Sequence, residues 1–85
     1  MHIAGVVVRT RPEHIDQVRS RLSTISGVEV HAATPEGHLV VTVESDGLSD
    51  ATERFARLQE LPQVLSAALV YEQSEPESES MEETP

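Results

Sequence analysis

The chain has 85 residues, 38% of them hydrophobic, with Phe55 and Tyr71 its only aromatics, which bounds it to one domain with an aliphatic core. It has no cysteine, and this excludes disulfides, thiol catalysis and thiolate metal sites. Its formal net charge of −9, from 15 acidic residues against 6 arginines, repels a phosphate backbone and attracts a cationic partner.

In chain order, Ile3 to Val8 (IAGVVV) reads as a strand that is apolar on both faces. Thr10 with Glu13 three residues on forms a capping box, Pro12 fits a first turn, and Ile15, Val18, Leu22 and Ile25 recur at helical spacing. Gly27 is placed to end that helix. Val28, Val30 and Ala32 then alternate with Glu29, His31 and Ala33. After the turn residues Pro35-Glu36-Gly37, Leu39, Val41 and Val43 alternate with Val40, Thr42 and Glu44, completing a hairpin. Ser49 is positioned to cap a second helix that carries Leu48, Ala51, Phe55, Leu58 and Leu61 on one side and stops at Pro62. Val64 to Tyr71 (VLSAALVY) is a last strand, again apolar on both faces. From residue 74 onward, SEPESESMEETP has almost no apolar residue to repay its ordering entropy, so residues 1–73 are expected to fold and 74–85 to form a disordered acidic tail.

The order β-α-β-β-α-β predicts an α+β, ferredoxin-like sandwich: a four-stranded antiparallel sheet, strand order 4-1-3-2, with both helices on one face. Two helices cover one side only. In the hairpin, Val28, Val30, Ala32, Leu39, Val41 and Val43 are expected to face them, leaving Glu29, His31, His38, Val40 and Thr42 on the open side. Pattern barely discriminates the faces of the outer segments. The favoured assignment buries Ala4, Val6 and Val8, because Gly5 on the open face lets a partner approach closely. It also buries Leu65, Ala67, Leu69 and Tyr71, leaving Val64, Ser66, Ala68 and Val70 outward. A one-residue slip inverts either set.

Catalytic signatures are not evident. His31 and His38 come together on the hairpin but lack further ligands, so no metal is expected. The serines carry no nucleophile motif, no Gly-rich phosphate loop appears, and Arg9, Arg11, Arg19 and Arg21 read as solvated surface. An open sheet that binds RNA displays aromatics, and the first three strands have none, so no nucleic acid is expected. No run approaches the roughly 18 apolar residues of a membrane span, and the start lacks an export-signal pattern, which points to the cytoplasm without membrane insertion.

Taken together, "VVVRTRPEHIDQVRSRL" (Val6 to Leu22), "GVEVHAATPEGHLVVTVE" (Gly27 to Glu44), "LVYEQ" (Leu69 to Gln73) and the Glu-rich end "EETP" resemble the NapD family, cytoplasmic chaperones of the periplasmic nitrate reductase. The resemblance implies a non-enzymatic protein that binds the twin-arginine (Tat) signal peptide of the reductase catalytic subunit and delays export until cofactor loading and folding are complete. The cofactors belong to that client, so none is expected here. The apolar platform for the peptide would be Ile3, Gly5, Val7, Val40, Thr42, Ser66, Ala68 and Val70, with Glu29, Glu44 and Glu72 as charge partners for its arginines. Such a chaperone would be a monomer or weak homodimer. Two other classes share the element order: an ACT-like regulatory domain binding a small molecule between subunits, and a homodimer that buries the open sheet against its own copy.

Overall fold

The computed structural model describes residues 1–74. The elements are β1 (His2–Arg9), a 3-10 turn (Pro12–His14), α1 (Ile15–Ser23), β2 (Val28–Ala33), β3 (His38–Ser45), α2 (Leu48–Glu60) and β4 (Ser66–Ser74). The four strands form one sheet in the order β2-β3-β1-β4 with every neighbouring pair antiparallel, as the element order predicts. The last strand is shifted from its expected bounds and ends at Ser74; the acidic segment beyond it lies outside the described residues.

Val18 and Leu22 of α1 and Leu58 of α2 are buried with Ala4, Val6, Val8, Leu39, Val41 and Val43 in a single aliphatic core. Both helices therefore pack on the same side of the sheet, and the expected burial of alternate residues in β1 and β3 is what the structure has. Leu48, expected on the buried side of α2, is 66% exposed at the start of the helix.

Neither expected helix cap forms. The capping position before Pro12–His14 is Arg11, and that before α2 is Gly47, neither with a side-chain cap hydrogen bond. Thr10 is instead buried, and its hydroxyl donates to the Gln63 carbonyl at 2.7 Å, tying the end of β1 to the turn before β4. Ser49 lies within the first turn of α2, where Asp50 accepts from the Asp46 N–H at 3.3 Å and pairs with Arg54 at 3.2 Å. The loss of one buried hydrogen bond sets the expectation for Thr10→Val: urea denaturation should show a loss of about 1 kcal/mol, with the fold intact.

Two β-bulges decide where the outer strands point. In β2 the register shifts between Val30 and Ala32, so Ala32 pairs with Val40 and Ala33 with Leu39. Ala32 is thereby turned to the open side, against expectation, and Ala33 packs on the core. In β4 the shift lies opposite Gly5/Val6: Leu69 pairs with Val6, but Tyr71 pairs with Gly5, with Val70 as the additional residue. Tyr71, expected in the core, stands on the open face and is 53% exposed. Just before the strand, Val64 packs on the core and Leu65 is exposed, the reverse of the expected pair.

Candidate functional site

The open face can be built from the register. Burial of Ala4, Val6 and Val8 turns Ile3, Gly5, Val7 and Arg9 to the other side. Directly opposite these in β3 stand Glu44, Thr42, Val40 and His38, and in β4 Gln73, Tyr71, Ala68 and Ser66. Beyond β3, Glu29 pairs with Thr42 and Ala32 with Val40. The face is thus four rows deep, and no described helix covers it.

Its middle is apolar and low. Val7, Val40, Ala68 and Ala32 share one row, and Val40 is 43% exposed. Gly5 leaves room for the ring of Tyr71: a Cβ at Gly5 would come within 3.1 Å of the tyrosine Cβ. The phenol of Tyr71 donates to Gln73, and His31 Nε2 lies 2.7 Å from the Thr42 hydroxyl, so the polar groups flanking the apolar row are held by neighbours on the same sheet. Among the described residues, no three His, Asp or Glu side chains converge into a metal-binding group.

All eight platform residues named from the sequence lie on β1, β3 and β4. Ile3, Gly5, Val7, Val40, Thr42, Ser66 and Ala68 share the open face by register, and Val70 sits at the β4 bulge, 63% exposed. Glu29 and Glu44 belong to the same face. Glu72 does not: it pairs with Ala4, and its carboxylate meets Nε2 of the buried His2 at 2.8 Å on the helix side. The residues that sequence reasoning missed are Tyr71 and Ala32. Strict alternation assigns both to the core, and only a bulge reverses it; the run of adjacent apolar residues at Leu69-Val70-Tyr71 is the one trace of it in the sequence.

A second concavity lies between α2 and the β1/β4 edge, lined by His2, Ala4, Val6, Leu48, Phe55 and Leu69 among others. At about 120 Å³ it is far smaller than the several hundred Å³ of an ordinary small-molecule site.

The fold is a small ferredoxin-like α+β domain with both helices on one side of the sheet and, on the other, an open face with an apolar row across its middle. The sequence model of the family described as NapD protein matches residues 1–76, and the chain belongs to that family. It is 28% identical over 79 residues to the chaperone NapD of Paracoccus pantotrophus, an alignment covering 93% of this chain and 70% of that one. Its structure matches the solution structure of the E. coli Tat proofreading chaperone protein NapD with a TM-score of 0.78 and 30% identity, covering 98% of this chain and 85% of the other. These relatives are chaperones and not enzymes. Among the described residues no helix is long and apolar enough to cross a membrane.

Proposed function

We propose that this protein acts in the cytoplasm as a chaperone for the catalytic subunit of a periplasmic nitrate reductase. It binds that subunit's twin-arginine signal peptide on the open sheet face and delays export until cofactor loading and folding are complete. The observation that carries this reading is the uncovered apolar row of Val7, Val40, Ala68 and Ala32, bordered by Ile3, Gly5 and Tyr71. A signal peptide of this kind joins a basic end to a moderately apolar stretch. The row accepts the stretch, and Glu29 and Glu44 on the same face accept the basic end. Ser66 and Val70 bound the platform along β4.

Covering about 400 to 600 Å² of apolar surface at about 25 cal/mol per Å² yields on the order of 10–15 kcal/mol before costs. Ordering a flexible peptide and losing its free motion take back much of this, leaving affinities from micromolar to nanomolar. The protein works as a monomer or a weak homodimer whose contact the peptide displaces.

The test is a titration of the isotope-labelled protein with the candidate signal peptide. Amides of β1, β3 and β4 on the open face are expected to shift, with those of α1 and α2 unmoved. Shifts confined to the helices, or none at all, would remove the proposal.

A further inference from the structure

The open face is electrically polar along the strands, and the register shows it. At one end Ile3 is flanked by Glu44 and Gln73, and the next row holds Glu29 beside Thr42. At the other end, six residues along β1, Arg9 is exposed on the same face between His38 and Ser66. Between them lies the apolar row of Val7, Val40 and Ala68. On the face itself, along a platform about 20 Å long, Glu44 and Glu29 stand toward one end and Arg9 at the other, with Glu36 in the turn beyond His38.

We infer that this gradient fixes the direction of the bound peptide, with its arginine-bearing end over Ile3 and Gly5, close to Glu44 and Glu29, and its apolar stretch running toward Arg9. The inference rests on the proposed function and adds an orientation to it. The two ends discriminate for separate reasons. Opposite charges attract at the Glu44 end, while a cationic end laid over Arg9 meets a like charge. A length of about 20 Å also matches about 13 residues of helix. A helical peptide lying in this direction presents its carbonyl end, the negative end of its dipole, to Arg9.

Two versions of a synthetic peptide decide the matter, each with adjacent arginines followed by about a dozen apolar residues. One carries a nitroxide label at the arginine end and the other at the apolar end. With the isotope-labelled full chain, the first label is expected to erase the amide signals of Ile3, Thr42 and Gln73. The second is expected to erase those of Arg9, His38 and Ser66. In Arg9→Glu the two labels should no longer separate, because both ends of the face then attract the arginines. Reversed erasure, or equal erasure by both labels in the parent protein, would overturn the orientation alone. If the unlabelled peptide shifts no open-face amide, the proposed function itself falls instead.

Discussion

Val40→Glu is expected to weaken binding of a twin-arginine peptide by at least about 100-fold, equivalent to about 2.7 kcal/mol, without unfolding the protein. Val40 stands in the middle of the open face between Val7 and Ala32, so a bound apolar stretch would lie across it. The substitution removes an aliphatic contact and leaves a carboxylate to be dehydrated under the peptide's apolar stretch, with Arg9, the nearest cation of the face, one row away. In the free protein the residue is 43% exposed, and the exchange costs only the lower strand preference of glutamate, below about 1 kcal/mol. Val40→Lys separates the two contributions. If attraction between the acidic sheet and the peptide's arginines governed affinity at this position, glutamate would tighten binding and lysine would loosen it. Contact with an apolar row predicts that both weaken it. Calorimetric titration of the two variants, with circular dichroism to check the fold, gives the answer; unchanged affinity in both would show that the peptide does not lie on this face.

The strands that alternate regularly were legible in the sequence, and those with bulges were not. β1 and β3 pair with each other one to one without a shift, so the period of two carries through and Ala4, Val6, Val8, Leu39, Val41 and Val43 are buried as their spacing implies. A bulge inserts a residue whose presence depends on how two distant segments pair, which the local pattern does not encode. That is why Ala32 and Tyr71 moved to the open face and Ala33 took the inward position. The candidate face survives these shifts because most of it belongs to β1 and β3. Helix caps failed for a related reason. Thr10 has a capping residue's chemistry and a glutamate at the right distance, but tertiary packing gives its hydroxyl the Gln63 carbonyl. Glu72 was read as a marginal acid free to meet a ligand, and pairing beside Ala4 gives it His2 instead.

Gly37→Ala is expected to destabilise the protein by about 3 kcal/mol or more, a large share of the roughly 4–11 kcal/mol that a domain of this size holds. Gly37 closes the β2–β3 turn with φ of +105°, a conformation that side chains rarely adopt, and its N–H donates to the Thr34 carbonyl at 3.0 Å. A Cβ there would stand 2.0 Å from the Thr10 carbonyl oxygen and 3.1 Å from its carbon. Both are backbone atoms, so no side chain can swing aside to relieve the clash. The strained conformation costs about 1–2 kcal/mol, and separating the two segments loses the 2.8 Å hydrogen bond from the Thr10 N–H to the Gly37 carbonyl, worth about 1 kcal/mol more. Thr10 is also where the turn before β4 is anchored, and the neighbouring Arg9 carbonyl accepts from the Leu65 N–H at 2.8 Å. Moving Thr10 therefore loosens the hairpin turn and the entry to β4 together, at the Arg9 end of the sheet. Gly47→Ala is the control: its φ is near the extended limit and a Cβ would meet nothing within 4 Å, so a loss below about 1 kcal/mol is expected. Urea unfolding of the two variants should differ accordingly. Amide exchange should quicken in Gly37→Ala around Arg9, His38 and Ser66 well before it does around Ile3 and Glu44, and equal quickening at both ends would show that the turn does not act through Thr10.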